Sequence, residues 1–334
     1  MQELVRELST VFGPPGAEDA VRERIAHHVT PYADAVTIDA MGNLYALKRG
    51  DGSGRRIMLA AHMDEIGVIV TQVEEDGMLR FSGLGTLGRK MLLGQRVRFG
   101  NGAVGVISHN GGVKAEIVEN ETPDWPKWFI DMGVQGAAAL PVGIGDVAVF
   151  DRPFVSLGRR ALGGFDDRIG CAILVQLLRT LPASPHDLLF TFTVQEEVGV
   201  RGARVAAFGQ DPEIGIAVDV TPAGDTPKQL TPAAVKLGHG PAIKIADAQM
   251  IAHPRLRRAL IAAAQREGIP FQPEVLTFGS TDAAAIQAAR AGVISGAVSV
   301  PCRYVHTTSE MIDFGDVEHA VALLTAFLTA EVDW

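Results

Sequence analysis

Two acidic residues stand directly after a stretch of the chain that has the composition of a buried strand. Leu189 to Val194 is β-branched and aromatic, as strands in a sheet interior are. Gln195-Glu196-Glu197 follows with no turn residue between. Adjacent acids at the end of a buried strand are costly unless solvent or a cation meets them. This stretch alone predicts either a solvated strand end or a cation site, and the rest of the chain must decide between the two.

Other expected strand ends and loops carry the same types of side chain. Arg56 to Ala61 leads into His62-Met63-Asp64, and Ile214 to Val218 leads into Asp219. Ligands of open α/β sheets bind at the edge where the carboxyl ends of the strands meet. Imidazoles and carboxylates together suit divalent ions such as zinc, cobalt or manganese, and the sequence does not choose among these three. The candidate residues are His62, Asp64, Asp166, Asp167, Glu196, Glu197, Asp219 and His306.

Charge and strand geometry refine this metal hypothesis. If Asp166, Glu197 and Asp219 all ligate as carboxylates, two divalent ions and a bridging hydroxide balance them, whereas a single ion leaves surplus buried anion. Neighbouring side chains on a strand point to opposite sides. We therefore expect Glu196 and Glu197 to divide between a general base and a metal ligand.

The elements that must position these residues indicate an α/β fold. Strands alternate with helical patterns before residue 68 and after residue 160, which predicts a three-layer αβα arrangement with a mostly parallel sheet. Between these positions, short β-rich runs are separated by turn pairs, with hairpin signals at Asp76-Gly77 and Asn101-Gly102. We expect residues 1–67 and 161–334 to form one domain and residues 68–160 to form a small all-β barrel inserted into it.

Composition excludes several classes of protein. The 334 residues carry 30 basic and 39 acidic side chains, a net charge of −9, which argues against a nucleic-acid partner. Since no apolar run is long enough to cross a bilayer and no signal peptide is visible, we expect a cytoplasmic protein without a membrane partner. The two cysteines, Cys171 and Cys302, form no CxxC pair, so a disulfide framework or a thiolate metal site is not expected.

The motifs taken together resemble those of the M42 metallo-aminopeptidases, the tetrahedral, dodecameric peptidases related to glutamyl aminopeptidase. The resemblance covers nearly the whole chain, including the expected barrel, and implies a zinc-peptidase-like catalytic domain. The motifs that carry it are His62-Met63-Asp64, Phe165-Asp166-Asp167-Arg168, Gln195-Glu196-Glu197-Val198-Gly199, Asp219-Val220-Thr221-Pro222-Ala223-Gly224-Asp225 and Tyr304-Val305-His306.

The resemblance implies a role for each of these residues. Asp166 bridges two divalent ions, zinc or else cobalt or manganese, with His62 and Asp219 completing one ligand set and Glu197 and His306 the other. Glu196 is the general base that activates a metal-bound water, and Asp64 orients His62 from behind. The implied reaction is the removal of N-terminal residues from short peptides. The implied partners are further copies of the chain, with residues 68–160 forming dimers and dimers forming a dodecamer.

Departures from the family pattern and several roles stay open at this point. Gly163-Gly164 stands where many relatives carry a lysine, and His306-Thr307-Thr308-Ser309-Glu310 replaces the commoner His-Ser-Pro-x-Glu. Asp167 is expected to cap a helix rather than to ligate, whereas the roles of Asp225 and His239 cannot be assigned.

Alternative functions also stay open. A related metal-dependent deacylase or carboxypeptidase would share the ligands. A carboxylate-pair glycosidase would not need the histidines, and a non-catalytic scaffold predicts a lost base or ligand.

Overall fold

The computed structural model describes residues 1–111, 124–227 and 235–331, so residues 112–123 of the expected insertion lie outside the described part. The helices are α1 (Gln2–Thr10), α2 (Asp19–Val29), α3 (Arg168–Thr180), α4 (Arg201–Gln210), α5 (Pro254–Arg266), α6 (Asp282–Gln287) and α7 (Phe314–Leu328). The strands up to the end of the insertion are β1 (Ala35–Ile38), β2 (Leu44–Lys48), β3 (Arg56–His62), β4 (Gly67–Val73), β5 (Leu79–Leu84), β6 (Arg96–Phe99), β7 (Val104–His109), β8 (Trp128–Asp131), β9 (Val147–Phe150), β10 (Val155–Leu157) and β11 (Arg160–Gly163). Those that follow are β12 (Asp187–Thr193), β13 (Ile214–Pro222), β14 (Ala242–Ala246), β15 (Gln272–Val275), β16 (Ile294–Arg303) and β17 (Glu310–Asp313).

The large sheet is parallel at its centre and antiparallel on both sides. Its strand order is β1-β2-β12-β3-β13-β16-β17-β11-β10, with β14 and β15 branching from β16. Pairing is parallel along β12-β3-β13-β16, whereas β1-β2 and β10-β11-β17 pair antiparallel. The sheet is therefore mixed, and our expectation of a mostly parallel sheet holds only for its centre. The reason is that short turns join β1 to β2 and β10 to β11, and a short turn permits only antiparallel pairing.

Helices cover both faces of this sheet, as a three-layer fold requires. On β3, Ile57 and Leu59 pack into the larger core with α1, α2, α3, α5 and α7, whereas Met58 and Ala60 pack on the other face against α4 and α6. Successive strand residues point to opposite faces, so a strand buried on both sides is apolar throughout. The α/β fold class is confirmed. In the described ranges, none of the helices combines the length and apolar character that crossing a membrane requires.

The inserted β-barrel is also present. Strands β4-β5-β8-β7-β6-β9 form a closed barrel around a core of its own that includes Val97, Ile107 and Trp128. The Asp76-Gly77 and Asn101-Gly102 turns join β4 to β5 and β6 to β7 as predicted. Strand β5 follows the Asp76-Gly77 turn, and Gly83 interrupts its apolar alternation. The domain boundaries at 67/68 and 160/161 stay a prediction.

Strand register places the candidate residues at one edge of the sheet. Thr193 of β12 lies opposite His62, and Asp219 lies near the carboxyl end of β13. Asp166 and Asp167 stand just before α3, and His306 lies in the turn between β16 and β17. Parallel pairing at the centre of the sheet therefore collects residues that are distant in sequence.

The barrel core generates a stability prediction. Trp128 is fully buried and meets the His109 ring edge-on, with the ring centroids 4.7 Å apart. Trp128→Ala is expected to lower the free energy of unfolding of the barrel by about 3–5 kcal/mol, because it leaves a large cavity. Denaturant titration followed by circular dichroism, with limited proteolysis of the insertion, measures this loss. Phe129→Ala, on the same strand but partly exposed, is the matched control, and an equal loss in both variants would contradict the prediction.

Candidate metal centre

Asp166 lies between two imidazoles at the edge of the central strands. Its Oδ1 is 3.1 Å from His62 Nε2, and its Oδ2 is 3.3 Å from His306 Nε2. Asp166 and His62 are buried, whereas the His306 side chain is 31% exposed toward the cleft. The Asp166 carboxylate thus directs a different oxygen to each histidine. His62 lies 104 residues before Asp166 in the sequence, and His306 lies 140 residues after it.

The other acids group around these two imidazoles. Glu197 Oε2 is 3.3 Å from His306 Nε2, and Asp219 Oδ1 is 3.9 Å from His62 Nε2. Ligand atoms of Asp166, Glu197 and His306 lie within 4.8 Å of one another, and those of His62, Asp167 and Asp219 do the same. All five residues that the motifs predict as metal ligands therefore meet in one place.

Both imidazoles present the same nitrogen to the acids. His62 Nδ1 is 3.1 Å from the backbone carbonyl of Asp64, and His306 Nδ1 is 3.1 Å from the backbone carbonyl of Thr86. When Nδ1 donates to a carbonyl, Nε2 is the nitrogen left to meet a cation. Thr86 lies just after β5, so the inserted barrel reaches the site, a contact that no sequence pattern indicated.

Glu196 and Asp64 lie beside this cluster. Glu196 Oε2 is 3.9 Å from His62 Nε2. The carboxylate of Asp64 accepts the backbone N–H groups of Glu196 at 3.0 Å and Glu197 at 3.1 Å, and its Oδ1 is 3.5 Å from His62 Nδ1. Asp64 therefore lies behind His62, as expected, and in addition holds the backbone of both glutamates.

Asp167 belongs to the support of the site. Its carboxylate caps α3 by accepting the N–H of Gly170 at 3.0 Å, and it accepts the N–H of His62 at 3.2 Å. The predicted helix cap is confirmed. The peptide bond that joins it to Asp166 is cis. Because both oxygens of Asp167 are already used, its closeness to His62 and Asp219 does not require it to ligate.

A second buried network was not predicted from the sequence. Glu310 accepts the N–H of Asp166 at 3.0 Å and that of His306 at 3.2 Å, and it also accepts the N–H of Phe165. The Arg152 guanidinium lies 3.5 Å from Glu310 and also pairs with Glu65. Glu310 lies only four residues after His306, but Glu65, Arg152 and Asp166 come from remote segments that no local pattern relates to it. A Cβ on Gly164 would stand 2.6 Å from the Arg152 guanidinium, which explains one of the two unusual glycines.

The pKa values of the cluster are shifted because several acids are buried together with too little positive charge to balance them. Burial raises the pKa of Glu197 to about 8 and that of Asp219 to about 7. Burial alone would lower the pKa of His306, but the carboxylates of Glu197 and Asp166 raise it to about 10. Burial also raises the pKa of Glu196 well above its ordinary value. These shifts favour protonated forms, whose protons a divalent ion would displace. Burial acts to raise the pKa of Asp166 as well, but its contacts with His306 and His62 outweigh burial and hold that pKa below its ordinary value.

A cleft of about 730 Å³ opens over the cluster. Its lining includes Asp166, Glu196, Glu197, Asp219 and His306 together with the apolar side chains of Val200, Leu276 and Phe278. Gly279-Ser280-Thr281 also borders it, where Thr281 caps α6. This combination of polar groups and apolar walls, in a volume of this size, is typical of a small-ligand site.

The two residues to which the sequence assigns no role, Asp225 and His239, lie outside the cluster. The Asp225 carboxylate makes a bidentate pair with Arg303, with both contacts at 2.7 Å. His239 is exposed and contacts the carbonyl of Leu237 at 3.0 Å. Both therefore have partners outside the acidic cluster.

Comparison with known proteins identifies the family. The model of the M42 glutamyl aminopeptidase family matches residues 42–323. The chain belongs to the M42 aminopeptidase family. It is therefore an enzyme, a hydrolase that acts on peptide bonds, and the resemblance inferred from its motifs is confirmed.

Relatives match this M42 aminopeptidase over nearly its full length. A putative aminopeptidase of Acetivibrio thermocellus is 41% identical over 327 residues, which are 97% of each chain. Lysyl aminopeptidase of Pyrococcus furiosus is 33% identical, over 98% of this chain and 96% of the relative. The solved structure of Pyrococcus horikoshii TET1 peptidase, which can assemble into a tetrahedron or a large octahedral shell, is 32% identical with a TM-score of 0.85 and covers 98% of each chain.

The pKa shifts predict how stability depends on pH. In metal-free protein, Glu197 and Asp219 hold protons in the folded state that the unfolded chain has already released. The melting temperature should therefore fall between about pH 6 and about pH 9, because the folded state binds more protons over that range. His306 acts in the same direction, since its raised pKa keeps it protonated where an unfolded histidine is neutral.

Thermal unfolding of chelator-treated protein across this pH range tests the sign. Protein loaded with zinc or cobalt is the comparison, and its melting temperature should vary less with pH because the ion displaces the same protons. A melting temperature that rises with pH in the chelator-treated protein would refute the prediction.

Proposed function

We propose that this M42 aminopeptidase removes N-terminal residues from short peptides with the help of two divalent metal ions. The position of Asp166 carries the proposal, because one of its carboxylate oxygens faces His62 and the other faces His306. A carboxylate placed in this way can be shared by two ions. The proposed ligand sets are His62, Asp166 and Asp219 for one ion, and Asp166, Glu197 and His306 for the other.

The donor atoms of the chain fit such ions. Glu197 Oε1 is buried and has no hydrogen-bond partner among the described residues, which suits an oxygen meant for a cation. Two imidazole Nε2 atoms with carboxylate oxygens favour zinc, with cobalt or manganese as alternatives. When bound, these ions lower the pKa of water and polarise the scissile carbonyl.

Glu196 is the proposed proton carrier. It stands at the margin of the cluster, 3.9 Å from His62 Nε2, and belongs to neither ligand group. Burial raises its pKa, which suits a group that takes a proton from the attacking water and returns it to the leaving amine near neutral pH. Asp64 fixes its backbone and contacts His62.

Assembly is proposed to limit which peptides reach the cleft. Residues 68–160 form the dimer contact, and dimers build a hollow dodecamer that excludes folded proteins. Exposed Val104 and Val106 on β7 and exposed Ile144 give the barrel an apolar outer surface. The P. horikoshii relative, which can form a tetrahedron, supports this assembly. The cytoplasmic location stays a prediction.

Metal analysis combined with a substrate panel tests the proposed reaction. We expect about two divalent ions per subunit and turnover of aminoacyl anilides that a chelator abolishes. N-acyl amino acids and C-terminal substrates should react poorly. Preference for those compounds would instead support the related deacylase or carboxypeptidase, and chelator-resistant cleavage of glycosides would support a glycosidase.

Glu196→Gln separates proton transfer from metal binding. We expect turnover to fall by about 10²–10⁴-fold with metal content unchanged, because the amide cannot accept the proton. Glu7→Gln, the same change at a glutamate that pairs with Arg24 and His28 away from the site, is the matched control. Turnover near that of the unchanged enzyme in Glu196→Gln would remove Glu196 from the proposed role.

Light scattering tests the assembly. The mass should correspond to twelve chains, and Val106→Glu on the barrel surface should reduce it, because a buried charge opposes an apolar contact. Val205→Glu, an equally exposed valine on α4, is the matched control and should leave the mass unchanged. A monomeric mass for the unchanged protein, or equal effects of the two substitutions, would refute the barrel contact.

A further inference from the structure

The segment that carries both cluster glutamates is held by side chains at four consecutive backbone N–H groups. Strand β12 pairs with β3 only as far as Thr193, opposite His62. Beyond that point the acceptors for the N–H groups come from three separate parts of the chain. They are Asn43 Oδ1 for Val194 at 3.0 Å, Glu18 Oε1 for Gln195 at 3.2 Å, Asp64 Oδ1 for Glu196 at 3.0 Å and Asp64 Oδ2 for Glu197 at 3.1 Å.

Local conformation makes these acceptors necessary. Gln195 has a φ of 56°, the left-handed region that non-glycine residues rarely adopt. Gln195, which bends the chain immediately before Glu196, therefore adopts an energetically unfavourable backbone conformation. A buried N–H without an acceptor adds a further cost. The side-chain acceptors offset the conformational cost and the cost of unpaired N–H groups, and they therefore favour this backbone conformation.

Glu18 is itself fixed in place. It precedes α2, is only 4% exposed, and its Oε1 also accepts the N–H of Gly16 at 2.8 Å. A backbone bond from Ala17 to Pro14 at 2.9 Å closes the same turn. One carboxylate oxygen thus joins the N-terminal turn to the residue before Glu196, although Glu18 belongs to neither ligand group.

We propose that Glu18 is a positioning residue that sets the location of the Glu196 carboxylate by holding the backbone N–H of Gln195. This inference rests on the proposed role of Glu196 in proton transfer. Without the Glu18 oxygen, the N–H of Gln195 in the left-handed turn loses its acceptor. The Asp64 carboxylate still accepts the N–H groups of Glu196 and Glu197. The Glu196 carboxylate then moves relative to the cluster, whereas the ligand atoms remain.

Paired substitutions at Glu18 test the inference. Glu18→Ala removes the acceptor, and Glu18→Gln keeps a carbonyl oxygen that can accept the same bonds. We expect kcat to fall about 10–100-fold in Glu18→Ala with KM changed less than about 3-fold, because a small displacement of a reacting group has an effect of this size. Glu18→Gln should keep kcat within about 3-fold of the unchanged enzyme. Metal content should be the same in both.

Hydrogen exchange supplies a readout independent of activity. The amide of Gln195 should exchange faster in Glu18→Ala and not in Glu18→Gln, whereas amides of the central strands should be unaffected. Glu7→Ala is the control, because Glu7 also lies in the N-terminal region and pairs with Arg24 and His28 away from the site. It should change neither kcat nor the exchange of Gln195.

The possible results decide between the proposals. An unchanged kcat in Glu18→Ala, or equal losses of kcat in Glu18→Ala and Glu18→Gln, overturns the positioning role. If Glu18→Ala does not fold, Glu18→Gln with ordinary exchange at Gln195 and near-normal kcat supports the role, and faster exchange there overturns it. Full activity in Glu196→Gln instead refutes the proton-transfer role of Glu196 on which the inference rests, whatever the Glu18 variants show.

Discussion

The site depends on the placement of one carboxylate between two imidazoles, within a dense group of buried acids. Asp166 meets His62 and His306 with different oxygens, and Glu196, Glu197 and Asp219 stand close by. Buried charges of one sign repel one another and lose their solvation. Two imidazoles cannot neutralise this many carboxylates, so the group must hold protons or bind cations. The surrounding structure must therefore hold the acids together against their own repulsion.

Three further carboxylates hold the segments that carry the cluster by accepting backbone N–H groups. Asp64 accepts from Glu196 and Glu197, Asp167 accepts from His62 and from the first turn of α3, and Glu310 accepts from Phe165, Asp166 and His306. Since these acids spend their oxygens on the backbone, the oxygens of Asp166 and Glu197 remain for a cation, as does Oδ2 of Asp219, whose Oδ1 accepts the N–H of Val220 at 2.6 Å. This distinction separates two kinds of buried acid that look alike in the sequence.

The sequence predicts the residues of the cluster better than it predicts the contacts that hold them in place. His62, Glu196 and Asp219 follow apolar strands, and parallel strands bring their carboxyl ends together, so local composition made them candidates and the family resemblance implied their roles. The Asp167 cap follows from an equally local rule. The Arg152–Glu310 contact and the Thr86 carbonyl join segments more than a hundred residues apart, and propensity carries no information about such contacts. Turn lengths, not strand composition, determine the direction of the flanking strands, so the expectation of a mostly parallel sheet holds only at its centre.

The inserted barrel is part of the site rather than an appendage. The Thr86 carbonyl, just after β5, receives Nδ1 of His306, as the Asp64 carbonyl receives Nδ1 of His62. A backbone carbonyl thus orients each imidazole. The carbonyl for His62 follows strand β3 of the large sheet, and the carbonyl for His306 follows strand β5 of the barrel. His306 is also held in a left-handed turn, with a φ of 60°, by Glu310. Any contact that displaces the barrel relative to the sheet therefore acts on the orientation of His306, so the geometry of the acidic cluster is coupled to the surface that the barrel presents to other chains.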